Sequence, residues 1–125
     1  MPWNLESDRP IYTQLMEQIQ IMIASGIFPA GSKLPPVREL AAEAAVNPNT
    51  MQRALLQLES NGLIYSQRTS GRFVTEDEGK IMQIKNSLAA DLVHKFLFKM
   101  NQLGYDGQHT KELLEKVMGE EEQNG

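Results

Sequence analysis

Only three residues separate two helical patterns in the stretch "RELAAEAAVNPNTMQRALLQLESNG". Val37, Leu40, Ala41 and Ala44 repeat at helical spacing, which predicts a short helix over about 36–44. Asn47 then supplies an N-cap and Pro48 a preset first helical residue. A connection this short leaves no room for a crossover, so the two helices must form a helix-turn-helix pair. In the second of them Met51, Ala54, Leu55 and Leu58 fall at i, i+3, i+4 and i+7 and make one inward stripe. The other face carries Asn49, Gln52, Arg53 and Leu56, with Thr50 in the first turn. Short amides, a hydroxyl and a guanidinium stand where an ordinary solvated helix more often shows Glu and Lys.

The flanking patterns complete the architecture. Ile11, Leu15, Ile19 and Ile23 predict a helix from Pro10 to Ser25, capped by Ser7 or Asp8 and stopped at Gly26. "FPAGSKLP" reads as a turn with a short extended piece. After Gly62, "LIYSQ" and "RFVT" are strand-like and "TSG" is a turn, which predicts a hairpin. A charged joint, "EDEGK" at 76–80, leads to a long helix over about 80–103 and a short one over about 110–118. "GEEEQNG" is expected to fray. The fold class is mainly α with a small β-hairpin: a winged helix-turn-helix over 1–76, then a short two-helix region over 77–125.

The 125 residues hold no cysteine, which excludes disulfide staples and thiolate metal sites. The N-terminus lacks the basic and apolar regions of a signal peptide, and no apolar run reaches membrane-spanning length. A cytoplasmic protein with no membrane partner is the expectation. The net charge of −4 speaks mildly against nucleic acid, but its distribution does not. Residues 1–75 carry six basic and six acidic side chains, whereas 76–125 carry six lysines and ten acids. Within 47–75, Arg53, Arg68 and Arg72 face Glu59 alone.

This set suits DNA reading. A helix fits the major groove, where Asn and Gln can pair with adenine and Arg with guanine. Residues at the start of the second helix of such a pair reach base edges. The segment "KLPPVRELAAEAAVNPNTMQRALLQLESNGLIYSQRTSGRFV" resembles the DNA-binding domain of GntR-family bacterial transcription regulators. "RPIYTQLMEQI", "GIFPAGSKLPPVRELA" and "VNPNT" resemble the YtrA-type subfamily most, whose short C-terminal helices serve dimerisation. The resemblance covers about 3–118. It implies DNA contacts by Arg38, by Asn47, Asn49, Thr50, Gln52 and Arg53, and by a wing tip of Arg68, Thr69, Ser70, Gly71 and Arg72. It also implies a homodimer on a double-stranded operator, with repression as the expected direction.

Three departures narrow these implications. Pro48 and Gln52 stand where many members have Arg, so base reading here should lean on amides and on Arg53. Ala45 replaces the usual turn glycine, at a cost of about 1 kcal/mol if its backbone is left-handed. The wing has one glycine fewer and one arginine more, predicting a stiffer, more basic tip.

Plainer roles stand beside these. Arg38 could pair with Glu39, Glu43 or another acid, and Leu56 is expected to pack under the wing in preference to touching DNA sugars. Trp3 and Leu5 alternate as a short strand would and should pack at the N-terminal arm. Asp91, His94 and the distant His109 are too few for a metal site, and His94 is expected to be half-buried at a helix interface. No phosphate-cradling loop or nucleophile with a base occurs, so neither catalysis nor a cofactor is expected. The long helix bears more apolar residues than one short partner covers, and Leu88, Leu92, Phe96, Met100 and Leu103 are assigned to dimerisation. A small-molecule effector remains possible, with room only at the dimer interface. The competing function is a winged-helix protein-interaction module, favoured by the acidic C-terminal part.

Overall fold

The computed structural model describes residues 3–124. Five helices and one hairpin follow in the order α1 (Ile11–Ala24), α2 (Val37–Ala44), α3 (Pro48–Ser60), β1 (Ile64–Gln67), β2 (Gly71–Val74), α4 (Glu78–Gln102) and α5 (Gly107–Asn124). The chain divides into two compact units between Asn86 and Ser87, within α4.

The first unit is built on one apolar core. Leu15, Ile19 and Ile23 of α1, Leu40, Ala41 and Ala44 of α2, and Met51, Ala54, Leu55 and Leu58 of α3 are all buried in it. Leu34, Leu63, Ile64 and Val74 close it from the wing side, and Ile81 and Ile84 of α4 pack on it. The inward stripes read from spacing are therefore the observed ones. Trp3 and Leu5 also pack against this core, though they form no strand.

The start of α1 differs from expectation. Neither Ser7 nor Asp8 caps it; Pro10 occupies the N-cap with no side-chain hydrogen bond. The arm is secured by Gln14, a buried polar residue that periodicity does not reveal. Its amide nitrogen donates to the carbonyls of Glu6 at 2.7 Å and Arg9 at 2.9 Å, and its oxygen accepts from Glu6 N–H. A pre-helical loop that bonds to a side chain one turn inside the helix has no need of a terminal cap.

The turn between α2 and α3 is tight because Ala45 is left-handed, at φ 58° and ψ 45°. This lets Val46 N–H reach Ala41 O at 3.0 Å and Ala45 N–H reach Ala42 O at 3.2 Å, closing the end of α2. Asn47 then caps α3 as expected, its Oδ1 accepting from Asn49 N–H at 2.7 Å. At the far end of α3, Gly62 has φ 78° and a side chain there would collide with Lys80 Nζ. Lys80, in the first turn of α4, points that ammonium at Asn61 O, 3.5 Å away.

The hairpin pairs β1 with β2 in antiparallel register, with Tyr65 opposite Phe73. Their rings stack with centroids 5.7 Å apart, stiffening the wing across the strands. The expected extended piece in "FPAGSKLP" is a single bridge, Lys33 to Phe73.

The second unit comprises the rest of α4 and α5. Helix α5 is longer than predicted at both ends. It begins at Gly107 because Asp106 caps it, accepting from His109 N–H at 2.8 Å. It continues to Asn124, so Glu120–Glu122 are helical and not a frayed tail. Gly119 lowers helix propensity without ending the helix, since good helix formers follow it. His94 is exposed, contrary to expectation, because it lies on the α4 face that α5 does not cover. Among the described residues of this unit Thr110 alone is buried. No helix among the described residues is long and apolar enough to cross a membrane.

Ala45 is the one non-glycine residue with positive φ among those described. Ala45→Gly is expected to raise stability by about 0.5–1 kcal/mol, relief of left-handed strain outweighing the backbone entropy glycine adds to the unfolded chain. Denaturant midpoints of the two proteins measure this, and a loss of stability would show that the turn is not strained.

Candidate nucleic-acid interface

Burying Met51, Ala54, Leu55 and Leu58 obliges the other face of α3 to look outward. Asn49 and Arg53 are exposed there, with Thr50 and Gln52 half-buried at the margins. Leu56 is 48% exposed on the same face, so it does not pack under the wing as expected. The wing lies toward the C-terminal end of α3, where Glu59 meets it, and leaves Leu56 uncovered. Asn47 is divided between tasks: its oxygen is held by the cap, and its amide nitrogen is free to donate.

Arg53 does not wave in solvent. Its guanidinium carbon lies 3.7 Å from the centroid of the Tyr12 ring, a cation–π contact between α3 and α1. Around it Pro10, Ile11 and Tyr12 face Asn49, Thr50 and Arg53 across an open groove of about 660 Å³. Spacing alone places Arg53 on this face, whereas Tyr12 sits among the apolar residues of α1 with no periodic sign of the contact.

The wing is braced from beneath. The Glu59 carboxylate accepts from Arg72 Nε at 2.7 Å and from the Ser66 hydroxyl, joining α3 to both strands. Partial burial pushes this carboxyl up, but the Ser66 and Arg72 hydrogen bonds and the Arg72 charge outweigh it, so the group lies below the usual carboxylate range. Arg72 is thus half-buried in an ion pair, where the sequence suggested a free wing-tip cation. Arg68, Thr69 and Ser70 form the exposed turn. Gly71 follows at φ 103°, a conformation that side chains resist, and a side chain there would press on Lys33 Cε at 3.2 Å.

Lys33 is the cation that spacing missed. It stands beside the wing tip, exposed, in a hollow shared with Pro35, Pro36, Ser70 and Gly71. Nothing periodic marks it; only its bridge to Phe73 brings it there. Arg38, in the first turn of α2, is exposed and makes no ion pair with Glu39 or Glu43. The outward face of α3 therefore carries amides and Arg53, and Lys33 joins the exposed wing turn as a second polar surface. Such surfaces can donate to base edges and to phosphate oxygens.

The residues assigned to dimerisation all lie in the second unit. Leu92 and Leu103 are 68% and 75% exposed, Phe96 is 39% exposed, and Leu88 and Met100 are half-buried. Leu92 and Phe96 join Val93, Leu97, Thr110 and Leu114 around an apolar groove of about 490 Å³, and Leu103 lies outside it.

Comparison with known proteins places these features in a family. The model of bacterial regulatory proteins of the gntR family matches residues 11–74, from the first residue of α1 to the last of β2. The HTH-type transcriptional repressor YtrA of Bacillus subtilis (strain 168) is 40% identical over 88 residues, which are 66% of this chain and 68% of that one. A GntR family transcriptional regulator from Listeria monocytogenes has a similar structure, with TM-score 0.82 and 38% identity over 90% of this chain and 98% of that one. AraR(DBD), solved in complex with operator ORX1, matches with TM-score 0.52 and 32% identity over 60% of this chain and 90% of that one. The helical pair, the outward face of α3 and the braced wing all fall inside the matched span, and the chain belongs to the GntR family of bacterial transcription regulators.

Proposed function

We propose that this chain is a dimeric repressor that reads an inverted-repeat operator, with α3 in the major groove and the wing on the neighbouring backbone or minor groove. The observation that carries it is the outward face of α3, where Asn49, Thr50, Gln52 and Arg53 present donors and acceptors beside an uncovered Leu56. Arg53 suits guanine, and the amides of Asn49 and Gln52 suit adenine. Arg38, Arg68 and Lys33 meet phosphates, with the Asn47 amide nitrogen, Thr69, Ser70 and Gly71 placed to join them. Arg72 contributes its outer nitrogens while Glu59 holds its Nε. Two similar proteins support the reading: YtrA is named a repressor, and AraR(DBD) sits on an operator.

The second unit supports the dimer. Leu92 in α4 and Leu103 just after it share one helical face and are 68% and 75% exposed, and burying such side chains contributes about 1.5–3 kcal/mol each. A second copy over Leu88, Leu92, Phe96, Met100 and Leu103 removes that surface from water, and a two-fold pair is the commonest arrangement. It also doubles the contacts of a DNA-binding part with no net positive charge, and sets half-sites about 34–36 Å apart or a multiple of it. The groove of about 490 Å³ is large enough for a small molecule, and this is where an effector would act on the dimer.

Three outcomes are expected. Arg53→Ala should lose about 1–3 kcal/mol of discrimination at one base pair per half-site, read by titrating a selected operator and its single-pair variants; unchanged discrimination would remove α3 from base reading. Glu59→Ala and Arg72→Ala should each weaken binding to every duplex about equally, because both release the wing. Tighter binding by Glu59→Ala would mean that the carboxylate only repels DNA. Light scattering after size exclusion should give a dimer at micromolar concentration and a monomer for Leu92→Glu combined with Leu103→Glu. A wild-type monomer would sink the assembly.

A further inference from the structure

We infer that Tyr12 is a positioning residue for base reading: its ring fixes the Arg53 guanidinium in the attitude from which it meets a base. The inference rests on the proposed role of Arg53 and goes beyond it to a residue that touches no base. Three observations carry it. The Arg53 guanidinium carbon is 3.7 Å from the Tyr12 ring centroid, well inside cation–π range. Tyr12 is itself anchored, half-buried against the core that α1 shares with α3. Arg53 has no acidic partner among the described residues, so the ring is the contact that holds its head.

An arginine free in solvent gives up rotamer freedom when it forms a fork of hydrogen bonds, and that loss subtracts from discrimination. A ring that already holds the guanidinium plane removes part of the loss before DNA arrives. The face contact leaves the guanidinium edge, with its donors, free to point across the groove that Asn49 and Thr50 also line. Tyr12 acts through the face of its ring, and its hydroxyl is not required.

The test uses the full-length chain and a duplex selected by that chain from a random-sequence pool. Affinity is measured for this duplex, for each single-pair variant and for an unrelated duplex across a salt series, with thermal unfolding as a control. Tyr12→Leu should lower discrimination roughly two- to fivefold at the base pair that Arg53→Ala also relaxes, and leave the other pairs and the salt slope unchanged. Tyr12→Phe should keep wild-type discrimination. In the Arg53→Ala background Tyr12→Leu should add nothing. Fluorinated phenylalanine at position 12, which keeps the shape and weakens the negative ring face, should behave like Tyr12→Leu, and it decides the matter if the leucine variant unfolds. Equal losses at every base pair, loss with Tyr12→Phe, a further loss in the Arg53→Ala background, or a wild-type profile with the fluorinated ring would each overturn the inference. If the wild-type chain selects no preferred duplex, or Arg53→Ala relaxes no base pair, the DNA reading itself fails, which is a separate result.

Discussion

The buried stripe of α3, Met51, Ala54, Leu55 and Leu58, is the contact on which the rest of the first unit depends. It is apolar and almost wholly withdrawn from water, so the helix has one low-energy rotation about its own axis. Slide that stripe and Asn49 and Arg53 turn inward, where their unmatched polar groups would cost more than any surface contact returns. The informational face is thus held in place by its opposite. What α1 and α2 supply is a socket for the stripe, and what the left-handed Ala45 supplies is the sharp turn that brings α3 into it.

The wing and the N-terminal arm attach to this arrangement by polar contacts, each of a different kind. Gln14 ties the arm to α1 through three hydrogen bonds in a nearly dry setting. Glu59 ties α3 to the hairpin, and the stacked Tyr65 and Phe73 keep the hairpin from twisting freely. The lone acid among the arginines of 47–75 is therefore the residue that organises them. A protein that faces polyanionic DNA can keep one carboxylate near its basic edge when that carboxylate is spent internally.

What could be read beforehand, and what could not, divides along a physical line. Helical spacing exposes any residue whose role follows from which way it points, and so Leu40, Met51 and Leu58 were legible as core and Asn49 and Arg53 as surface. Asn47 and Pro48 were legible because capping is local. Contacts between elements distant in sequence leave no periodic trace. By spacing Gln14 is one more polar helix residue, Lys33 a loop lysine and Arg72 a free cation; only the fold sets Glu59, thirteen residues earlier, against Arg72. Leu56 misled for the same reason, since its burial hung on where the wing lies. The helical run through Glu120–Glu122 was missed because a glycine followed by acids reads equally well as a stop and as a weak point.

Gly62 illustrates a demand of another sort. It ends α3 with a backbone conformation unfavourable for other residues, and a side chain there would displace the Lys80 ammonium, aimed at the end of the same helix. Helix stop and seat for a neighbour coincide on one residue that carries no chemistry and lies away from the reading face. In a map of tolerated substitutions Gly62 would stand out for its left-handed backbone, while the flexible Lys80 chain could swing aside for a new side chain. The intolerance there would be mechanical, a record of how the regulator is jointed and not of what it recognises.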